Sequence, residues 1–277
     1  MKPVLIAAYV RSPFTPANRG ALSHMRADDL AAQVVRGLIG KTGIEPGEIE
    51  DLIVGCAFPE AEQGLNVARL IGVLADLPMS VTGVTVNRFC GSSMQAIHMA
   101  AGAIQMNAGE AFICAGVESM TRVPIMGFNP MPNPALFDRY PQAYVSMGET
   151  AENVAVKYEL SRSEQDTFAE HSHQKAVAAR IAGQLADEII PIVTASGTVD
   201  QDGCIRPETT LEKLAELKPA FDEDGTVTAG TASPLTDGAS AVLICTQEYA
   251  DRVGLEPLAA IKGIATYGCQ PELMGLG

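Results

Sequence analysis

Charge is missing where the chain would be expected to carry it. Between Arg88 and Glu110 lie 21 residues without a single Asp, Glu, Lys or Arg, and His98 is the one titratable side chain there besides Cys90. A helix without a charged face is normally covered on all sides, which excludes an ordinary surface helix. The length would suit a membrane span, but two Ser, two Gln, a His, an Asn and three Gly in the window exclude that reading. The expectation is a buried central helix. Basic residues are also few, 19 Lys and Arg against 33 Asp and Glu, giving a formal net charge of −14. That excludes general nucleic-acid binding, because a phosphate backbone needs a basic footprint. An anionic small substrate remains open if a local basic patch opposes the overall field. No Cys-x-x-Cys or Cys/His spacing suits zinc, so no metal site is expected, and six cysteines in 277 residues do not make a disulfide framework. Free thiols point to a reducing compartment, and the opening MKPVLIAAYVRSPF has too short an apolar run for a signal peptide, so a cytoplasmic location is expected.

What is present is organised around residues 81–108, VTGVTVNRFCGSSMQAIHMAAGAIQMNA. The Val/Thr-rich first part favours a strand, and the Ala, Met, Gln and Ile after Ser92 favour a helix. Arg88, Phe89, Cys90 and Gly91 lie between them, so a cysteine sits at or just before the first turn. Unpaired N–H groups and the helix dipole stabilise an anion there, a setting that favours the thiolate and makes Cys90 the candidate nucleophile. Cys56, Cys114, Cys204, Cys245 and Cys269, in strands or loops, have no such setting and read as ordinary free cysteines.

In chain order, residues 4–10 read as a buried strand, 28–41 as a helix, 52–57 as a strand, 66–74 as a helix, and 111–116 as the strand after the Cys90 helix. Strands alternating with helices imply βαβ crossovers, an α/β class and a mainly parallel sheet. Residues 119–147, with five prolines and four methionines, form a long loop or the entry to an inserted region. Helices are expected over 148–158 and 163–183, the second capped by Ser163 with Asp166 three residues on. A strand is expected over 189–193, and returning strands over 241–245 and 258–265. In TVTAGTASPLTDGA, at 226–239, small residues dominate, as they do where backbone approaches a ligand. No internal repeat is visible.

Five stretches in order resemble the thiolases: VNRFCGSSMQAI, ICAGVESMTRVP, SMGETAENVA, SRSEQDTFAEHSHQKA and GTVTAGTASPLTDGASA. RFCGSSMQA and IRPETT are closer to the degradative 3-ketoacyl-CoA thiolases than to the biosynthetic type. The resemblance implies a βαβ layered amino-terminal domain over 1–118, an inserted coenzyme A-binding loop domain over 119–240, and return strands with the start of a second thiolase domain over 241–277. It implies a Cys90 thiolate that attacks the 3-keto carbon of a 3-ketoacyl-CoA, with acyl-CoA and CoA as substrates and no separate cofactor. By matching position, Arg206 would meet the nucleotide phosphates and Phe221 would line the adenosine side. Met147, Ala229 and Ser233 would line the pantetheine tunnel. Lys213 stands where relatives often carry Ser near the adenine, either adding charge for a phosphate or facing solvent.

The family also uses an Asn-Glu-Ala-Phe motif, a Gly-His-Pro histidine and a second-domain Cys-x-Gly, and none of these is in the 277 residues. Cys114-Ala115-Gly116 mimics the last but lies in the first domain. The second thiolase domain is therefore expected to be absent from this chain, which would be a fragment, a truncated product or half of a two-chain enzyme. The chain alone is expected not to complete catalysis, and its uncovered Cys90 helix to favour a homodimer or higher oligomer, or a second polypeptide carrying the missing domain. The rival readings are a related condensing enzyme such as a ketoacyl synthase, and a non-catalytic acyl-CoA-binding or partner-binding remnant of a thiolase. Glu118 and Glu149 invite a general-base role, but local pairing is the plainer expectation.

Overall fold

A computed structural model describes residues 2–277, which form two compact units. The first comprises described residues up to 128, with 186–204 and 235–264, the second residues 129–185, 205–234 and 265–277.

The first unit is built on one sheet. Its strands are β1 (Val4–Arg11), β2 (Thr15–Pro16), β3 (Asp51–Gly55), β4 (Thr82–Val86), β5 (Ala111–Ser119), β8 (Thr236–Thr246) and β9 (Ala259–Ala260). They run in the order β4-β3-β5-β8-β1-β9, with β2 on β8. The helices are α1 (Ala27–Thr42), α2 (Val67–Leu74), α3 (Ser92–Gln105) and α8 (Gln247–Val253). Alternation along the strands sorts the core into two layers. Leu52, Val54, Ile113, Ala115, Leu243 and Cys245 face the cluster that holds α1, α2 and α8. Ile53, Phe112, Cys114 and Ile244 face α3. The sheet thus lies between two helical layers, with the Cys90 helix on one side.

Several sequence expectations are corrected here. The sheet is mixed: β3 is parallel to β4 and β5, but β8 is antiparallel to both β5 and β1. β8 spans 11 residues from Thr236, where a shorter strand over 241–245 was expected, and β9 has only two residues, where a strand over 258–265 was expected. Where a strand over 189–193 was expected, a hairpin of β6 (Ile192–Thr194) and β7 (Gly197–Val199) forms, and it belongs with the first unit. Arg11 explains that placement: it pairs with Glu188 at 2.7 Å and forks onto both oxygens of Asp202 at 2.7 and 2.8 Å. Finally, α3 is not covered all round. Ser92, Ala96, Ala100 and Ile104 are buried, but Met94 is 55% and Met106 79% exposed, with Phe89 at 63% just before the helix.

The second unit contains α4 (Pro134–Arg139), α5 (Met147–Lys157), α6 (Arg162–Ile181) and α7 (Leu211–Ala215), with a 3-10 segment at Pro271–Leu276. Both long helices start with a full capping box, Ser146 with Glu149 and Ser161 with Glu164. The expected Ser163–Asp166 cap is therefore displaced by two residues. Asp166 instead accepts from Arg162 at 3.0 Å, and Arg162 also donates to the carbonyls of Leu214 and Leu217, tying α6 to α7. Among the described residues, no helix is long and apolar enough to cross a membrane.

Candidate active site

The Cys90 turn is assembled by polar side chains at both of its ends. Asn87 Oδ1 accepts the Phe89 N–H at 2.8 Å, and Asn87 Nδ2 donates to the Ala57 carbonyl at 2.9 Å. Ser92 Oγ accepts the Arg88 N–H at 2.8 Å and donates to the Phe89 carbonyl at 2.5 Å. Phe89 is held at φ 45°, a left-handed conformation that a bulky residue adopts only when its surroundings impose it. The chain thus turns sharply from β4 into α3, whose N-cap is Gly91 and takes no side-chain hydrogen bond. Two glycines let α3 approach the sheet. A Cβ on Gly55 would lie 2.3 Å from Ser93 N, and one on Gly116 would lie 2.7 Å from Ser93 Cβ.

The result is an exposed thiol. Of the six free cysteines, Cys90 is the one exposed, while Cys56, Cys114 and Cys245 are buried. Burial, reinforced by the Glu118 carboxylate, pushes the Cys56 thiol up to about 12. Burial alone pushes Cys245 up to about 11, and it raises Cys114 as well. Burial thus both shields these three sulfurs and disfavours their thiolates. Glu118 is itself raised by burial, and it is occupied locally: it accepts from Ala57 N at 2.7 Å and Gln63 Nε2 at 2.6 Å. Glu149 is spent on its capping box. Neither is a free base.

The six residues matched to a coenzyme A site all belong to the second unit and are all exposed. Met147 is the first residue of α5, and Phe221 packs beside it, since a Cβ on Gly148 would meet the Phe221 ring at 2.0 Å. Arg206 donates its backbone N–H to His173 Nδ1 at 3.2 Å, and burial together with the Arg206 charge lowers the His173 pKa. Lys213 Nζ is hydrogen-bonded to the Glu208 carbonyl at 2.9 Å. Ala229 lies within, and Ser233 just after, a tight turn in which the Thr228 carbonyl accepts from Thr231 N at 3.2 Å and Ala232 N at 2.9 Å. Sequence reasoning passed over two residues that shape these loops, Asn87 and Glu152. The tendency of Asn to hydrogen-bond backbone two residues on was the general signal for the first, but nothing in the sequence singles out Phe89 as its partner.

An exposed cysteine on a strand–turn–helix elbow, carried by a mixed α/β sheet, defines a scaffold for nucleophilic thiol chemistry. The family model described as thiolase, N-terminal domain, matches residues 4–248. A 3-ketoacyl-CoA thiolase of Bacillus subtilis (strain 168) is 46% identical over 290 aligned positions, covering all of this chain and 74% of that protein. One from Vibrio vulnificus (strain YJ016) is 44% identical, covering all of this chain and 73% of its own. Among solved structures, human mitochondrial 3-ketoacyl-CoA thiolase in complex with CoA superposes with a TM-score of 0.89 at 34% identity, and the Bacillus anthracis acetyl-CoA acetyltransferase with 0.88 at 37%. These cover 100% of this chain and 73% and 74% of the respective structures. The chain belongs to the thiolase family, and it spans about three quarters of the length of these relatives.

Proposed function

We propose that the chain is the acyl-enzyme-forming part of a 3-ketoacyl-CoA thiolase, with Cys90 as nucleophile. The observation that carries this reading is the exposed Cys90 on its elbow, within a chain of this family. The Cys90 sulfur adds to the 3-keto carbon, and the bond between C2 and C3 then breaks. The two-carbon fragment leaves as the enolate of acetyl-CoA and takes up a proton, while the acyl group stays on sulfur as a thioester. The thiol of a second CoA adds to that thioester, gives up its proton and carries the acyl group away, returning the Cys90 thiolate. Each addition places negative charge on oxygen and calls for N–H donors, and the Cys90 backbone N–H is a candidate for one. The 277 residues hold no Gly-His-Pro histidine to accept the protons, so full turnover draws on groups outside them.

Arg206, Lys213, Phe221, Met147, Ala229 and Ser233 are proposed as the CoA contacts, with CoA as substrate and no further cofactor. A cytoplasmic location, a homodimer and a role in fatty acid metabolism belong to the same proposal. The half-uncovered α3 supports self-association or a second polypeptide. The test is thiolysis of acetoacetyl-CoA by the chain mixed with a polypeptide bearing Asn-Glu-Ala-Phe and Gly-His-Pro. Turnover that disappears in Cys90→Ala supports the proposal, and turnover that survives the substitution overturns it. A second reading, a CoA-binding remnant of a thiolase, predicts tight CoA binding and no turnover in the same mixture.

A further inference from the structure

We infer that Glu152 is a positioning residue that sets the loop at residues 226–233, and this rests on the proposal that the loop lines the CoA pantetheine. Glu152 projects from the middle of α5 and is buried, 7% exposed. Its carboxylate is satisfied by the loop itself. Oε1 accepts from Val227 N at 2.8 Å and Thr226 N at 3.1 Å. Oε2 accepts from Thr226 N at 2.9 Å and Thr226 Oγ1 at 3.3 Å. Two successive backbone N–H groups converging on one buried carboxylate fix where the loop meets α5.

A Cβ on Gly225 would lie 2.3 Å from Glu152 Oε1, so glycine before the anchor leaves the carboxylate the space it occupies. Thr226 Oγ1 is held in turn by Gln165 Nε2 of α6 at 2.9 Å. Farther along, Gly230 lies under Leu214 and Leu217, where a Cβ would come within 2.5 and 2.6 Å of their methyl carbons. Anchored at residues 226–227 and pressed down at Gly230, the loop turns Ala229 and Ser233 outward. Glu152 touches neither, and it acts on them through the backbone.

Glutamine is the informative substitution, because it keeps the shape and replaces one acceptor oxygen with an N–H₂ that faces the loop's donors. In the full chain, Glu152→Gln is expected to speed hydrogen exchange at the Thr226 and Val227 amides and to weaken CoA binding about tenfold by calorimetry, the loss of one charge-assisted bond. Gly225→Ala, which displaces the carboxylate from the other side, should do the same. Ala155→Gly, one turn away on α5, lowers helix stability through propensity and the loss of its buried methyl group without touching the Glu152 carboxylate, and serves as the control. It should reduce the melting temperature without moving CoA affinity. Unchanged exchange and CoA affinity in Glu152→Gln would overturn the inference, as would a loss of affinity in Ala155→Gly that matches its loss of stability. If the unaltered chain does not bind CoA, the CoA reading fails, while faster amide exchange in Glu152→Gln still identifies the anchor.

Discussion

The Asn87 carboxamide oxygen sits 2.8 Å from the Phe89 backbone nitrogen, closing the turn that lifts Cys90 out of the sheet. Its amide nitrogen holds the Ala57 carbonyl at the end of β3. Asn87→Ala removes both bonds while changing nothing else in the turn. The expected outcome is a loss of about 1–2 kcal/mol of stability, the net worth of two such bonds, and slower alkylation of Cys90 by iodoacetamide. Asn87→Ser, whose hydroxyl can still accept the Phe89 N–H, should recover part of the alkylation rate. Equal alkylation rates in all three proteins would show that the turn holds itself.

The glycines beneath α3 make a steric prediction. Gly55→Ala places a methyl group 2.3 Å from Ser93 N, and that atom belongs to a helix start with no room to recede. Overpacking of this kind costs about 1–3 kcal/mol. Chemical denaturation should show that loss, together with reduced Cys90 labelling. At Gly40, where a Cβ would meet nothing within 4 Å, alanine should cost nothing by packing and serves as the comparison.

Much of the first unit was legible because period-two and period-3.6 patterns survive in β1, β3, β5, α1 and α2. Strand direction was not. Ala241 to Cys245 carries the same β-branched and small residues whether it runs up or down, so its antiparallel pairing with β5 and β1 could not be read from composition. The α6 cap shows a different limit. Ser161-x-x-Glu164 and Ser163-x-x-Asp166 carry similar spacing signals, and the choice fell to the first because Arg162 draws Asp166 into its own ion pair. The short α8 did announce itself, with Thr246 as N-cap and Gly254 in the left-handed region, but its seven residues fell below the length at which periodicity speaks. The place of Cys90, between a strand and the start of a helix, was legible from composition. Its supports in Asn87 and the tertiary contact to Ala57 were not.

The capping boxes give the second unit a pH dependence. The Ser146 hydroxyl and then its backbone N–H hold Glu149 below the usual carboxylate range, and Ser161 does the same for Glu164. A carboxylate whose folded pKa is lowered adds stability that is complete above its ordinary value and lost as pH falls through the lowered one. Glu164→Gln should therefore lower helical content on heating at neutral pH, followed by circular dichroism. The difference from the unaltered chain should close in acid, below the ordinary carboxylate range. A gap that persists there would mean that the Glu164 charge is not what the cap uses.

The uncovered side of α3 should drive association. Met99 in the middle of the helix and the C-cap residue Met106 are exposed, and at Met106 a cation is also compatible with the dipole. Met99→Lys with Met106→Lys is expected to weaken self-association about tenfold or more, taking the loss of a buried methionine contact at about 1.5 kcal/mol. Sedimentation velocity across a concentration series reads this directly. An unchanged distribution would place the association surface elsewhere.

The most direct test of the account is the site of acylation. The chain is incubated with an acyl-CoA, the thioester is preserved at low pH, and peptides carrying each of the six cysteines are mapped by mass spectrometry. Acyl groups on Cys90 alone are predicted, with Cys56, Cys114 and Cys245 unmodified because burial keeps them protonated. An acyl group on another cysteine, with Cys90 free, would contradict the account.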